Sequence, residues 1–411
     1  MNVLLFSSDI KGFTYLKSTF KELKDKKHNT VFLYGNSNHV IPHPPSNLDK
    51  FNYDSTLPID FSEGFFIESI GLNIPFIPDY LLLTRDRWAP EQNIIHEFKQ
   101  KYPQTKIAYI ELNTNLIQAI EIKMEMISRT KFPQNQIDIF FDHSKSCLQN
   151  KKTSLGWKGW DRGVVVGNPS WDGLDLKEVK NCYKKYKIDK NKTQLLFFIG
   201  GGVTRKKSLN CLQIISNKID RSKYQIYLKP LPGEKTHPLL KKDYEPKFII
   251  EGLDGIIFDQ EDLNSMSYIC EYNIGHIGSV NYGGVLFNKQ IVNLDLYTNG
   301  LKDYNNLDLF LENKDNVREN WRADFWMRIH NLQTQQDFID LVEVKNLETF
   351  EKINNSWGDI LKLYTHTFDE SLNFLSNYKK DTQKLLKYFD DFGDGKSNER
   401  IINYLEKNLV A

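Results

Sequence analysis

Three segments rich in glycine or proline follow short apolar runs of this 411-residue chain and carry groups that could bind phosphate. They span residues 200–207, 229–238 and 275–284. Glycine lets a backbone approach a ligand closely, and the amide groups of such loops and of helix N-termini bind anions. The alternative for each segment is a rigid structural turn whose charged side chains are only solvated.

Acidic and imidazole side chains follow the apolar runs of the N-terminal half. The candidates for a general base are Asp9, Asp86, Glu111 and His143. A general base has to lie within hydrogen-bond reach of the hydroxyl that it deprotonates. A carboxylate after a strand can equally cap the next helix. The sequence therefore predicts a base among these four residues without ranking them.

Short apolar runs that alternate with amphipathic stretches must position these groups. The first half predicts strands at 3–6, 31–34, 80–83, 107–110 and 137–141, and helices at 15–24, 91–101 and 115–128. The pattern then restarts with strands at 163–166, 195–199, 225–228, 248–250, 256–258, 272–274 and 291–294, and helices at 176–186, 208–219 and 263–270. From about residue 346 we expect helices, including 371–388 and 399–409. This alternation is typical of parallel sheets with crossover helices.

The fold class that follows is α/β, with two doubly wound Rossmann-like domains facing a central cleft. A chain of 411 residues exceeds what one hydrophobic core normally serves. We place an N-terminal domain at 1–168, a C-terminal domain at 169–345, and helices at 346–411 that cross back onto the first domain. Ligands of such sheets bind beyond the carboxyl ends of the strands.

Composition narrows the class of protein. The 54 basic and 53 acidic residues give a net charge of +1, which provides no electrostatic case for nucleic acid as a partner. The four cysteines lack metal-ligand spacing, which predicts free thiols in a reducing cytosol and no metal site. No apolar run approaches the roughly 20 residues of a membrane span. We expect a cytoplasmic protein, and peripheral contact with the inner face of a membrane is compatible with that expectation.

The order of the motifs resembles the C-terminal half of the GT-B glycosyltransferases. The matching elements are residues 165–169, the glycine loop at 200–202, Lys229 with His237 and Pro238, residues 275–280, and Lys289 with 292–295. The order is especially similar to the group that includes non-hydrolysing UDP-N-acetylglucosamine 2-epimerases, bacterial Kdo transferases and CDP-glycerol polyol-phosphate transferases. The similarity covers about residues 163–345, and the first half matches by architecture only.

This resemblance implies a donor bound mainly by the C-terminal domain and an acceptor bound mainly by the N-terminal one, with no cofactor or metal. The residues that it matches to donor contacts are Gly201, Gly202, Arg205, Lys229, His237, His276, Gly278, Ser279 and Val280. Of these, Arg205, Lys229, His276 and Ser279 would stabilise the leaving nucleotide. The chain departs from the family at Gly283 and Gly284, where a Glu-Ala pair usually holds the ribose, and at Gln290, which replaces a proline.

We therefore expect an inverting, metal-independent glycosyl transfer of polysaccharide biosynthesis. The donor would be a UDP- or CDP-linked sugar, and the acceptor a glycan or a lipid-linked molecule. A UDP-N-acetylhexosamine 2-epimerase and a CDP-glycerol-type polyol-phosphate transferase are alternative enzymes. The Asp-Ser-Gly-Gly sequence of the epimerases is missing from the third segment, which favours a transferase. The missing glutamate at position 283 keeps a non-catalytic nucleotide-binding protein open.

Overall fold

Two parallel sheets organise the computed structural model. It describes residues 1–7, 10–36, 59–60, 74–84, 89–111, 136–154, 160–172, 174–199, 203–229, 255–259, 262–275, 281–294, 363–368, 375 and 378–409. Within these residues, no helix is long and apolar enough to cross a membrane.

The first sheet has the strand order β3-β2-β1-β4-β5-β6-β7, and all of its paired strands are parallel. Its strands are β1 (Asn2–Ser7), β2 (Asn29–Asn36), β3 (Ile59–Asp60), β4 (Tyr80–Leu83), β5 (Lys106–Ile110), β6 (Ile139–Asp142) and β7 (Gly163–Val165). Its helices are α1 (Ile10–Asp25), α2 (Ala89–Lys101) and α3 (Lys145–Ser154), and a 3-10 helix spans Trp160–Arg162. Both faces are covered, because Val3 and Leu5 pack toward α1 whereas Leu4 and Phe6 pack toward α2. Burial on both faces explains the unbroken apolar strands.

The second sheet has the order β10-β9-β8-β11-β12-β13, and its paired strands are also parallel. Its strands are β8 (Thr193–Phe198), β9 (Tyr224–Lys229), β10 (Gly255–Ile257), β11 (Tyr272–Gly275), β12 (Gln290–Asn293) and β13 (His366–Thr367). Its helices are α4 (Leu176–Lys185), α5 (Val203–Lys218) and α6 (Leu263–Ile269), and a 3-10 helix spans Asn281–Phe287. In both sheets the strand order reverses beside the first strand, at β1/β4 and at β8/β11. Such a reversal opens a crevice at the carboxyl ends of the strands.

The chain passes between the two sheets twice. It first crosses through the 3-10 helix Pro169–Trp171, and it later returns through the 3-10 helix Thr382–Leu385, α7 (Leu386–Phe389) and α8 (Ser397–Lys407). The buried side chains of Ile401, Ile402 and Leu405 place α8 in the core of the first sheet. A separate apolar cluster combines Cys147 of α3 with Val285, Ile291 and Phe389, so it joins residues of both halves.

Most predicted elements are confirmed, with bounds shifted by a few residues. The predicted strand 80–83 is β4, and the predicted helix 399–409 is α8. The strand predicted at 163–166 is β7, which pairs with β6 of the first sheet. The elements that were not predicted include the strands β3 and β13, the helix α3, and the 3-10 helices at 160–162, 169–171 and 281–287. The predicted helix 115–128 and the predicted strand 248–250 lie outside the described residues.

The single helix predicted at 371–388 is wrong, because residues 378–381 have no regular secondary structure. Gln290 supplies the physical reason. Its Nε2 donates to the carbonyl of Lys380 at 3.1 Å, and the N–H of Lys380 donates to its Oε1 at 2.8 Å. The backbone groups that a helix would pair internally are thus bound by a side chain of β12. The prediction of helices throughout the region after residue 346 is also wrong, since β13 adds a strand to the second sheet.

His366 of β13 completes the bridge that Gln290 forms. Its Nε2 lies 2.8 Å from Gln290 Oε1. Burial lowers the pKa of His366 to about 4, and nearby Lys380 acts in the same direction. The neutral ring can therefore donate from Nε2 to the amide oxygen. The glutamine that departs from the family pattern thus joins β12, β13 and the returning chain.

The two crossings are tied together at Asp172. Its Oδ2 accepts a hydrogen bond from the N–H of Asn398, which lies in the first turn of α8. The first N–H groups of a helix lack partners within the helix, so Asp172 caps α8 from the other crossing. The side chain of Asn398 also binds α1, because Thr19 Oγ1 donates to its Oδ1 and its Nδ2 donates to Ser18 Oγ at 3.0 Å.

Replacing Asp172 with asparagine is expected to remove a pH dependence of stability. Burial raises the pKa of Asp172 to about 6, and Asp390 adds to the increase, although hydrogen bonds from Asn398 and Ser397 oppose it. The pKa of Asp172 in the folded state lies above its unfolded value, so the neutral carboxyl is the form that folding favours. The contribution of Asp172 to the free energy of unfolding is therefore fully present at low pH, and up to about 3 kcal/mol of it is lost as the pH rises from about 4 to about 6. The Asp172→Asn variant keeps an oxygen acceptor for the N–H of Asn398. Urea unfolding at pH 4.5 and 7.5 measures the effect. A variant no more stable than the parent at pH 7.5 would contradict it.

Candidate functional site

Polar side chains occupy the carboxyl edge of the first sheet, whereas the strand interiors are apolar. Ser7 ends β1, and Thr84, Glu111 and His143 directly follow β4, β5 and β6. All four are at most 1% exposed. Since β1, β4, β5 and β6 are neighbours in the sheet, these residues lie side by side along its carboxyl edge. Glu111 and His143 were predicted candidates, and Ser7 and Thr84 extend the row.

The ring of His143 is fixed by the backbone of Glu111. His143 Nε2 lies 2.7 Å from the carbonyl oxygen of Glu111. A carbonyl oxygen can only accept a hydrogen bond, so Nε2 carries the hydrogen, and Nδ1 is the nitrogen that a neutral ring can use to accept a proton. The ring also stacks on Tyr15 of α1 with a centroid separation of 6.3 Å. His143 is therefore held in one tautomer with a defined basic atom.

Glu111 contributes its carbonyl rather than its carboxylate to this pair. Its Oε1 accepts a hydrogen bond from the hydroxyl of Tyr109 at 3.1 Å. Its N–H donates to the carbonyl of Phe141 at 2.9 Å, which continues the pairing of β5 with β6. The backbone carbonyl of Glu111 thus orients the His143 ring.

The second sheet places a basic residue at its own carboxyl edge. Lys229 is the last residue of β9 and is 6% exposed. It pairs with Phe198 of β8, and its carbonyl accepts a hydrogen bond from the N–H of Ile199 at 2.9 Å. Helix α5 begins at Val203, so its N-terminus follows β8 at the same edge. A buried cation beside a helix N-terminus suits an anionic ligand.

The described residues cover only part of the predicted site. Glu111, His143 and Lys229 are described, and the backbone of Arg205 lies in the first turn of α5. The predicted residues outside the described part are Asp9, Asp86, Gly201, Gly202, His237, His276, Gly278, Ser279 and Val280, together with the side chain of Arg205. The structure brings Glu111 and His143 together and places Lys229 on the other sheet. In the described part of the chain, no group of three His, Cys, Asp or Glu residues could hold a metal ion.

Packing accounts for the glycine at position 284 but not for the one at position 283. A Cβ on Gly284 would lie 1.9 Å from Nδ2 of Asn273, a fully buried residue of β11. A Cβ on Gly283 would lie 3.6 Å from Trp171 Nε1, which is an ordinary contact distance. An alanine therefore cannot occupy position 284 unless Asn273 moves.

Gly284→Ala is expected to destabilise the protein by about 1–3 kcal/mol, because an overpacked core forces its neighbours to shift. Gly283→Ala is the matched control, and we expect its effect to stay within about 0.5 kcal/mol. The free energy of unfolding in urea measures both. Equal stability of the two variants would show that Asn273 does not pack against position 284 as described.

Comparison with known proteins identifies the fold. No protein-family model matches the sequence, and no curated protein matches it. A structure of S. aureus MnaA with UDP has a TM-score of 0.55 at 13% identity, over 100% of this chain and 97% of that chain. The wall teichoic acid polymerase TagF has a TM-score of 0.55 at 11% identity, over 99% of this chain and 88% of that chain. A TagF variant soaked with CDPG has a TM-score of 0.54 at 12% identity, over 99% and 88% of the two chains. With its two parallel sheets, the chain has the GT-B fold of two Rossmann-like domains.

Proposed function

We propose that this chain is an enzyme that transfers a glycosyl group from a nucleotide sugar to a hydroxyl group of a glycan or lipid-linked acceptor. The observation that carries the proposal is the chemistry of the two carboxyl edges. The first sheet presents His143 with a defined basic nitrogen, and the second presents Lys229 beside the N-terminus of α5. Ligands of doubly wound sheets bind at such edges.

The second sheet would bind the donor diphosphate. Lys229 supplies a positive charge, and the first turn of α5 supplies backbone N–H groups and Arg205. Segments 200–202 and 276–280 come after β8 and β11 in the chain, and β8 lies between β9 and β11 in the sheet. Preorganised donors of this kind stabilise negative charge that develops on a leaving group. The donor contacts predicted within these two segments remain part of the proposal.

The first sheet would activate the acceptor. Nδ1 of His143 takes the proton of the acceptor hydroxyl as its oxygen attacks the anomeric carbon. The bond from that carbon to the diphosphate oxygen breaks, and the nucleoside diphosphate leaves with inversion of configuration. The carbonyl of Glu111 holds the ring through Nε2–H and stabilises the imidazolium that forms. Asp9 and Asp86 remain alternative bases.

The structural neighbours support the choice of donor. MnaA was solved with UDP, and a TagF variant was soaked with CDPG, so UDP- and CDP-linked donors are the first to test. The similarity to TagF, a wall teichoic acid polymerase, also favours a second candidate, which is transfer of a polyol phosphate. A donor labelled on the phosphate next to the transferred group separates the two. The label stays with the nucleotide in glycosyl transfer and enters the product in polyol-phosphate transfer.

A thermal-shift screen with nucleoside diphosphates tests the proposal directly. A ligand at 100 times its dissociation constant stabilises a protein by about 2.7 kcal/mol, so UDP or CDP is expected to raise the melting temperature. Lys229→Gln is expected to weaken that shift, and Lys218→Gln, at the far end of α5, serves as its control. If UDP, CDP, GDP, ADP and TDP all leave the melting temperature unchanged, the proposed function is wrong.

A further inference from the structure

The turn that carries His143 is held by chain that returns from the second sheet. This return segment comprises residues 388–391. The carbonyl of Tyr388 accepts a hydrogen bond from Ser144 Oγ at 3.0 Å. The N–H of Asp391 donates to the carbonyl of His143 at 3.3 Å, and the carboxylate of Asp391 accepts from the N–H of Lys145 at 3.1 Å. The backbone on both sides of the candidate base is thus fixed by the return segment.

Asp390 anchors the return segment to the first crossing. Its Oδ2 accepts from the N–H of Asn168 at 3.0 Å. Its Oδ1 accepts from the N–H groups of Phe392 at 2.9 Å and Gly393 at 3.0 Å. The carboxylate is 2% exposed, and a Cβ on Gly167 would lie 2.9 Å from its Oδ1. Three donors and close packing leave this side chain little freedom.

The preceding residues attach the same chain to the second sheet. Leu385 and Phe389 are buried with Val285 and Ile291. The side chain of Gln383 donates to the carbonyl of Val285 at 2.6 Å. Gln383, which contacts Val285 of the second half, and Asp391, which contacts His143, are thus only eight positions apart in the chain. The position of His143 is therefore constrained by the position of the second sheet.

We infer that Asp390 is a positioning residue, which sets the geometry of His143 through the return segment and makes it depend on the second sheet. The inference rests on the proposed function, because it gives His143 the role of base. Asp390 touches no reacting atom in this account. Its effect is to keep Nδ1 of His143 aligned with the acceptor while the second sheet holds the donor.

Asp390→Asn in the full chain tests the inference, with Asp381→Asn as the matched control. Asparagine has a single acceptor oxygen. It can therefore keep either the hydrogen bond from Asn168 or those from Phe392 and Gly393, but not all three. Asp381 lies on the same returning chain, is exposed, and pairs with the neighbouring Lys384 at 3.7 Å. Two measurements are made: kcat with the donor KM, and the ¹⁵N shifts of the His143 ring, assigned by their loss in His143→Gln.

Asp390→Asn is expected to shift the His143 ring signals and to lower kcat by on the order of tenfold or more, since small misplacements of catalytic groups are costly. The donor KM should stay unchanged, and Asp381→Asn should change neither quantity. Ring signals and kcat equal to the parent's, measured well below the melting temperature, would overturn the inference. If Asp390→Asn fails to fold, Ser144→Ala is read in the same way, since it removes the hydrogen bond to the Tyr388 carbonyl together with the one that Ser144 Oγ accepts from the N–H of Cys147. Shifted ring signals in a protein with no transferase activity would support the positioning and count against the proposed function.

Discussion

Replacing His143 with glutamine is expected to lower the rate of glycosyl transfer by about 10²–10⁴-fold, the usual contribution of a general base. Glutamine can still donate a hydrogen bond to the carbonyl of Glu111, which lies 2.7 Å from Nε2 in the parent. It has no nitrogen that accepts a proton. The loss should therefore fall on kcat, while donor binding through the second sheet is unchanged. Steady-state kinetics with a UDP- or CDP-linked donor measure both quantities.

His96→Gln is the control for this substitution. His96 is an exposed residue of α2, and its Nε2 lies 2.9 Å from the side chain of Gln100, so we expect no change in kcat. A His143→Gln enzyme that keeps more than half of the parent's kcat would exclude His143 as the base. Asp9 and Asp86 would then be the next residues to replace.

Replacing Leu405 with alanine is expected to destabilise the protein by about 2–5 kcal/mol, as large-to-small changes in a core do. Leu405 is fully buried, and it packs with Ile401 and Ile402 in the core of the first sheet. Its carbonyl also accepts a hydrogen bond from Tyr80 of β4 at 3.0 Å. The unfolding midpoint in urea measures the effect.

Leu409→Ala is the matched control for Leu405→Ala. Leu409 lies two positions beyond the end of α8 and is 40% exposed, so its truncation is expected to change stability by no more than about 0.5 kcal/mol. Equal midpoints for the two variants would mean that α8 does not complete the core of the first sheet.

Local patterns were sufficient to predict elements but not the bonds between distant ones. The four consecutive apolar residues of β4 predict a strand because burial on both faces demands them. The bridge from Gln290 to Lys380 spans 90 residues and exists only because β12 and the returning chain are adjacent. Local hydrophobic periodicity carries no information about a contact between such distant positions, and for this reason the prediction of a helix at 371–388 is wrong.

The candidate site also combines features that the local sequence predicts with features that depend on how distant elements pack. Glu111 and His143 stand out in the sequence because each follows an apolar run. Which atom of Glu111 meets His143 depends on the register of β5 and β6, in which Ile110 pairs with Phe141. Lys229 could be placed at a strand end from its neighbours alone. Its burial depends on how β9 sits between β8 and β10.

The return of α8 to the first sheet also constrains how the protein is made. The first domain is synthesised first, yet its core lacks Ile401, Ile402 and Leu405 until translation has passed the whole of the second domain. Thr19 and Asn398, which bond across this interval, are 379 positions apart in the chain. Contacts between such distant positions form slowly, since the loop between them must close first. During synthesis the nascent first domain would therefore expose an apolar groove, and its assembly would wait for the second domain to emerge.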